Sequence, residues 1–96
     1  MKYHIPERVF REICLAAEAY GIEKIILFGS RARGTHSERS DIDIAVSGGD
    51  VSGFYWAMNE NVWSLLSFDI VELDKGITGE LKNEIERDGM IIYEKA

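Results

Sequence analysis

The feature that most limits the fold of this chain is a regular alternation of helix-like and strand-like hydrophobic patterns. From Pro6 to Tyr20 the hydrophobic residues recur every three or four positions, the spacing of an amphipathic helix, and Gly21 favours its end. Lys24 to Phe28 is a short, mostly hydrophobic run typical of a buried strand. Similar patterns follow, and they predict the order α-β-α-β-α-β-α-β. We therefore expect a small α/β or α+β domain with helices packed on a sheet of about four strands.

Glycine-containing turns separate most of the later elements. The later elements are a short helix Ser30–Arg33, a strand Asp41–Val46, a helix from about 51 to 66, a strand Phe68–Leu73, a helix between Thr78 and Gly89, and a strand Met90–Tyr93. Thr78 suits the start of its helix because its hydroxyl can cap a backbone N–H. The chain has 96 residues, enough for one compact core, so we expect residues 1–96 to form a single domain.

Composition narrows the range of functions. The net charge of −6 argues against direct contact with nucleic acid, because such contact usually needs a basic surface. The longest hydrophobic run, Ile25–Phe28, is far shorter than the ~20 residues of a membrane-spanning helix, and the N-terminus has no signal-peptide pattern. The single cysteine, Cys14, suits a reducing compartment. We expect a cytoplasmic protein that does not contact a membrane.

Two aspartates lie in the second predicted strand. Side chains alternate along a strand, so Asp41 and Asp43 leave one face while Ile42, Ile44 and Val46 leave the other. Two carboxylates on a rigid surface suit Mg²⁺, which prefers oxygen ligands and keeps part of its shell for water and phosphate. Taken alone, the same pair is also what a solvated strand edge would carry.

The turn after the first strand suits a phosphate group. Gly29-Ser30 follows a buried strand and opens a short helix, where backbone N–H groups and the Ser30 hydroxyl can donate hydrogen bonds to phosphate. Arg31 and Arg33 follow directly, and either could contact phosphate oxygens. The alternatives are an ordinary strand-to-helix turn capped by Ser30 and a solvated position for at least one of the arginines.

A third aspartate interrupts an otherwise hydrophobic strand. Asp69 lies between Phe68 and Ile70, where a carboxylate is costly unless it is paired or binds a metal. If this strand lies beside the strand of Asp41 and Asp43, three carboxylates converge. They could then hold two metal ions about 3.5–4 Å apart, the arrangement that clamps the attacking and leaving oxygens of a displacement. The alternative is an edge strand with Asp69 in water.

These residues together resemble the signature of the DNA polymerase β-like nucleotidyltransferase superfamily. That signature is Gly29-Ser30, ten intervening residues, and Asp41-Ile42-Asp43. The fuller strings at 28–34 (FGSRARG) and 40–46 (SDIDIAV) are similar to its minimal nucleotidyltransferase branch, and Asp69 matches the third carboxylate. The resemblance covers the chain from about Lys24 to Leu73.

The resemblance implies a fold and a role for each matching residue. The fold is the polymerase β-like one, a small mixed β-sheet flanked by helices, and the activity is transfer of a nucleoside monophosphate to a hydroxyl group with two Mg²⁺ ions and ATP. The resemblance implies that Asp41 and Asp43 hold both metal ions, and that Asp69 binds the catalytic ion and helps to deprotonate the attacking hydroxyl. It also implies that Gly29 and Ser30 bind the β- and γ-phosphates and that Arg33 contacts a phosphate.

The resemblance also implies a partner. Members of the minimal branch are typically encoded beside a helical HEPN-domain toxin, and the characterised type adds AMP to a tyrosine of that toxin and so acts as the antitoxin. Two alternatives remain open. One is a binding module that neutralises its partner by complex formation without catalysis, and the other is a nucleotidyltransferase that acts on a small molecule or a nucleic-acid end.

The remaining notable residues favour structural roles. Trp56 and Trp63 are seven positions apart on one helix, and such a pair usually belongs to the core. His4 and His36 are far apart in sequence without a third soft ligand, which favours two surface positions. The charged residues of the last helix are expected to face solvent; they are Glu80, Lys82, Glu84, Glu86 and Arg87.

Overall fold

A computed structural model of the protein describes residues 4–37, 40–61, 67–77 and 79–95. The eight predicted elements occur in the predicted order, with one additional 3₁₀ turn, Leu73–Lys75. The helices and strands are α1 (Glu7–Ala19), β1 (Lys24–Phe28), α2 (Ser30–Arg33), β2 (Ile42–Ser47), α3 (Val51–Asn61), β3 (Phe68–Glu72), α4 (Gly79–Asp88) and β4 (Met90–Glu94). None of the helices in the described ranges is long and hydrophobic enough to cross a membrane.

The four strands form one mixed sheet in the order β3-β2-β1-β4. β1 lies in the centre and pairs antiparallel with both β2 and β4, whereas β2 and β3 are parallel and are connected through α3. The end of β1 and the starts of β2 and β3 therefore meet at the same end of the sheet. This arrangement confirms the expected small mixed sheet flanked by helices.

Hydrophobic side chains cover both faces of this sheet. On one face α1 and α3 pack through residues that recur at helical spacing; these are Val9, Ile13 and Ala17 of α1 and Phe54 and Met58 of α3. On the other face α4 packs through Ile85 against Phe28 and Ala45. The alternation predicted for β2 is confirmed, because Ile42, Ile44 and Val46 join the first core while Ala45 joins the second. The same alternation places Asp43 on the face covered by α4.

Several predicted boundaries differ from the structure by one residue. β2 begins at Ile42, which donates its N–H to the carbonyl of Ser67, so Asp41 precedes the strand and is exposed. β3 ends at Glu72, because Leu73 begins the 3₁₀ turn. The helix predicted to reach residue 66 is described as far as Asn61, and the expected cap at Thr78 lies outside the described residues.

The predicted core position of the two tryptophans is wrong for Trp56, whose exposed fraction is 60%. The buried stripe of α3 consists of Phe54 and Met58, four positions apart, and Trp56 lies midway between them on the opposite side of the helix. Its indole contacts Tyr55 edge-to-face at a ring-centroid distance of 5.6 Å. Trp63 lies outside the described residues.

Candidate active site

The candidate site lies at the end of the sheet where β1 ends and β2 begins. β2 and β3 run parallel in a register that places Asp43 directly opposite Asp69, while Phe28 of β1 pairs with Asp43 from the other side. Asp69 is exposed and Asp43 is half-buried. The strand of Asp69 therefore lies beside the strand of Asp43, as expected, and the Asp43 and Asp69 carboxyl groups are close enough to share a hydrogen bond. The alternative is met as well, because β3 is an edge strand of the sheet and Asp69 is exposed.

The carboxyl group of Asp43 has a strongly raised pKa. Burial, followed by the negative charges of Asp69, Asp41 and Glu84, raises the pKa of Asp43 from 3.8 to about 6. A hydrogen bond with Asp69 acts in the same direction. Negative charge thus accumulates around Asp43 at neutral pH, and a bound cation would relieve that repulsion.

Gly29 is required by the close approach of Asp43. Its backbone has φ 74° and ψ −157°, a conformation essentially confined to glycine, and a Cβ atom at this position would overlap the Oδ2 atom of Asp43. The Gly29 carbonyl accepts hydrogen bonds from the N–H groups of Ala32 and Arg33, both 3.1 Å long, which fix the turn into α2. The Gly29–Ser30 turn, which was predicted to bind phosphate, is therefore in direct contact with Asp43, which was predicted to bind metal.

Arg33 extends from α2 to α4. Its Nη1 atom lies 3.5 Å from Oε1 of Glu84 and 3.4 Å from Oδ2 of Asp88, and 38% of its side chain is exposed. Asp88 is also bound by Arg87, whose Nε and Nη2 atoms donate to Oδ2 at 3.1 and 2.9 Å. Arg33 thus lies beside the Gly29–Ser30 turn, with its guanidinium directed to two carboxylates of α4.

Glu84 was missed as a site residue by the sequence analysis, which placed it on a solvated face. It is half-buried, and its charge acts on Asp43 because α4 packs on the same face of the sheet. One signal in the sequence could have identified it. Leu81 and Ile85 mark the hydrophobic stripe of α4, and Glu84 borders that stripe rather than opposing it.

Arg31 is the buried one of the two arginines, and the solvated position considered for at least one of them applies to Arg33, which is exposed. Only 3% of the residue is exposed, and burial lowers the pKa of its guanidinium. The side chain donates hydrogen bonds to backbone carbonyl groups of the loop that leads to Asp41 and of the segment before α1. The sequence shows two similar arginines in one helix, and the structure gives them different environments.

Of the two histidines predicted to lie at the surface, His4 is exposed, as predicted, and its ring contacts that of His36. The rings of His4 and His36 have a centroid distance of 5.1 Å and an interplanar angle of 42°. His36 is half-buried, and within the described ranges its Nδ1 atom makes no hydrogen bond. Burial, and then the charges of Arg31 and His4, lower the pKa of His36. Both histidines lie near Arg31, which donates from Nη1 to the His4 carbonyl and whose charge acts on His36.

The residues that could hold a divalent ion are the three aspartates at this end of the sheet. Asp43 and Asp69 supply adjacent oxygen donors, and Asp41 lies close enough to act on the charge of Asp43. Within the described part of the chain, no three His, Cys, Asp or Glu side chains are already arranged around one ion. The fit to Mg²⁺ therefore rests on the donor chemistry and on the crowding of negative charge around Asp43.

Comparison with known protein families agrees with this geometry. The family described as "Polymerase beta, Nucleotidyltransferase" matches residues 12–96 of the chain. A curated relative from Methanocaldococcus jannaschii, "Putative protein adenylyltransferase MJ0604", is 37% identical over 81 residues, an alignment that covers 75% of this chain and 79% of that protein.

Solved structures share the fold. The structure of a toxin–antitoxin with AMP-PNP matches with a TM-score of 0.68 and 25% identity, covering 90% of this chain and 73% of that chain. A mutant of the toxin–antitoxin MntA–HpeT matches with a TM-score of 0.67 and 23% identity, covering 90% and 73% of the two chains. With the site geometry and the family match over residues 12–96, these similarities lead to one conclusion: the chain belongs to the polymerase β nucleotidyltransferase family and is a nucleotidyltransferase.

Proposed function

We propose that the protein transfers AMP from ATP to a hydroxyl group, a tyrosine, of a HEPN-type toxin and thereby acts as its antitoxin. The observation that carries the proposal is the register of β2 and β3, which places Asp43 beside Asp69 and next to the Gly29–Ser30 turn. A carboxylate pair for metal ions and a turn for phosphate are the two parts that nucleotidyl transfer needs.

Each site residue has a distinct role in this proposal. Asp41 and Asp43 would hold both Mg²⁺ ions, and Asp69 would bind the catalytic ion and help to deprotonate the attacking hydroxyl. Gly29 and Ser30 bind the β- and γ-phosphates, and Arg33 contacts a phosphate oxygen after leaving its long, partly exposed pairs with α4. When bound, the ions polarise the α-phosphate and neutralise charge on the leaving group. The same charge would lower the pKa of Asp43 again and keep its carboxylate ionised.

The transfer step is a single displacement at phosphorus. The acceptor oxygen forms a bond to the α-phosphorus of ATP, and the bond from that phosphorus to the oxygen bridging to the β-phosphate breaks. Pyrophosphate leaves with the bonding electron pair, and the hydroxyl proton passes toward the Asp69 carboxylate and on to water. Because Asp69 is exposed, solvent can accept that proton directly. Positioning and charge neutralisation supply most of the rate in reactions of this kind.

A protein acceptor is supported by two of the similarities. The relative that is 37% identical is named as a protein adenylyltransferase, and the fold match at 25% identity is a toxin–antitoxin that contains AMP-PNP. The net charge of −6 argues against a nucleic-acid acceptor, which would be repelled by an acidic surface. The HEPN class of the partner and the tyrosine acceptor follow from the family resemblance.

The test is to mix the purified protein with the HEPN-domain protein encoded beside its gene, ATP and Mg²⁺, and to record intact masses of both chains. We expect one or more AMP units on the partner, and peptide mapping should locate them on tyrosine. The variant with Asp41→Asn and Asp43→Asn should add none. Asp50→Asn is the matched control, because asparagine can still accept the hydrogen bond that Asp50 receives from Gly53 at the start of α3.

The outcomes separate the candidate functions. A stable complex without any mass change on either chain would refute AMP transfer to this partner and support a binding module. AMP transfer to a small molecule or to an oligonucleotide end, with none to the partner, would keep the enzyme but replace the acceptor. An equal loss of transfer in Asp50→Asn would mean that the aspartate changes act through folding.

A further inference from the structure

Arg31 connects α2 to the loop that follows it and to the segment before α1. Its Nε atom donates to the Ser40 carbonyl at 3.1 Å, Nη1 donates to the His4 carbonyl at 2.8 Å, and Nη2 reaches the Ser37 carbonyl at 3.4 Å. With 3% of the residue exposed, this is a buried guanidinium satisfied by main-chain oxygens.

The loop that Arg31 binds leads directly to a site residue. Ser40 precedes Asp41, and the carbonyl bound by Nε belongs to the peptide group that joins these two residues. Two hydrogen bonds join Ser37 and Ser40: the Ser37 N–H donates to the Ser40 Oγ atom at 2.8 Å, and the Ser40 N–H donates to the Ser37 carbonyl at 3.2 Å. β2 begins only at Ile42, so the strand itself does not fix Asp41.

We propose that Arg31 is the positioning residue for Asp41: by holding the Ser40 carbonyl, it fixes the peptide group from which the Asp41 carboxylate reaches the metal site. The metal-dependent part of this inference rests on the proposed function, whereas the backbone part does not. Arg31 contacts the loop from behind and does not need to touch ATP.

The shape of the guanidinium explains why arginine is needed. Three donors in one plane point in different directions and reach three carbonyl groups at once. A lysine ammonium keeps the charge but cannot span the same three oxygens. Arg31→Lys therefore preserves the charge and most of the side-chain volume but removes the planar arrangement of three donors. Partners that orient metal-binding residues typically change metal affinity by about 10- to 100-fold when they are replaced.

The experiment compares Arg31→Lys with Arg11→Lys, a matched change at an arginine that is largely exposed and pairs with Glu7 on the surface of α1. Mn²⁺ binding is measured calorimetrically with AMP-PNP present, well below the thermal midpoint of each variant. We expect the half-saturating Mn²⁺ concentration to rise about 10- to 100-fold in Arg31→Lys and to stay unchanged in Arg11→Lys. Hydrogen exchange at the Ser40 amide, which donates to the Ser37 carbonyl that Arg31 also reaches, should become faster only in Arg31→Lys.

A double-mutant cycle with Asp41→Asn separates positioning from a general structural role. If Arg31 acts through Asp41, Arg31→Lys should weaken Mn²⁺ binding by less than about twofold once Asp41 is already changed. Additive effects, or Mn²⁺ binding within twofold of wild type in folded Arg31→Lys, would overturn the inference. A wild-type protein that binds no Mn²⁺ would instead contradict the proposed function, and the exchange of the Ser40 amide would still test the backbone part.

A measurement on the unchanged protein covers the case in which Arg31→Lys does not fold. The Nε–H proton of Arg31 is followed by NMR, with that of the exposed Arg11 as the internal comparison. We expect exchange with water at least tenfold slower for Arg31, together with a nuclear Overhauser contact to Ser40. Exchange as fast as that of Arg11 would show that the bond to the Ser40 carbonyl does not persist, and would overturn the inference.

Discussion

Replacing Gly29 with alanine should damage the site more than the fold. The new methyl group would occupy the position of the Asp43 Oδ2 atom, so the carboxylate must rotate or the strand must shift. The backbone at Gly29, with φ 74° and ψ −157°, also becomes strained for any residue that has a Cβ atom. The two effects can be separated by a control in which only the second is present.

Gly76→Ala is that control. Gly76 has φ 81° and ψ 131°, again a conformation unfavourable for alanine, but a Cβ atom there would meet nothing within 4 Å. Backbone strain alone should cost about 1–3 kcal/mol of the free energy of unfolding. At Gly29 the overlap adds about 1–3 kcal/mol more, as for other over-packed positions. A displacement of Asp43 by about 1 Å should in addition lower the transfer rate about 100-fold.

Thermal unfolding and single-turnover AMP transfer measure the two quantities. For a domain of this size each kcal/mol corresponds to a shift of about 4–8 °C in Tm. We expect both variants to lose stability, with Gly29→Ala losing more, and only Gly29→Ala to lose transfer while folded. Equal stability losses, or wild-type transfer by folded Gly29→Ala, would refute the assigned contact between Gly29 and Asp43.

Three further predictions concern the charges at the site. The pKa of Asp43, raised from 3.8 to about 6, means that the folded protein binds more protons than the unfolded chain between these values, so its stability falls as pH rises through this window. Above pH ~6, Asp43→Asn should therefore be more stable than wild type by about 1–2 kcal/mol, a value reduced to allow for the partial exposure of Asp43. Urea unfolding at several pH values should show this gain shrinking toward pH ~4. A gain that is constant with pH would contradict the raised pKa of Asp43. Glu84→Gln should lower the pKa of Asp43 in a carbon-detected NMR titration, and an unchanged value would mean that Glu84 does not act on it. Arg33→Ala should reduce the free energy of unfolding by less than about 1 kcal/mol, because its pairs with Glu84 and Asp88 are 3.5 and 3.4 Å long and partly exposed; a loss above about 2 kcal/mol in denaturant unfolding would show a stronger link between α2 and α4.

Local patterns in the sequence were sufficient to predict the elements and which face of a strand each side chain occupies. The alternation around Asp43 and Asp69 predicted the buried and site-facing positions because the period of a strand is two in any context. The spacing of Val9, Ile13 and Ala17 predicted α1 for the same kind of reason. Strand order was not predictable in this way, since pairing depends on contacts between residues far apart in sequence.

The remaining site residues depend on tertiary contacts that no short pattern encodes. Arg31 and Arg33 are two positions apart and chemically identical, yet one is buried against carbonyl groups and the other reaches carboxylates of α4. Glu84 becomes part of the site only because α4 packs on the same face as Asp43. Trp56 is exposed because Phe54 and Met58 already supply the buried side of α3.

The parallel pairing of β2 with β3 also limits how chains of this kind can change in length. Ala45 of β2 and Val71 of β3 lie on the side of the sheet that α4 covers. Asp43 and Asp69 are each two residues from one of these positions, so both carboxylates lie on that same side and meet there. Inserting or deleting a single residue within either strand, between these positions, would move one carboxylate to the other face of the sheet, into the core formed with α1 and α3. A change of any length in the connection between the strands leaves both carboxylates on the same side. Lineages can therefore lengthen or shorten the α3 region while the chemistry at the sheet end stays the same.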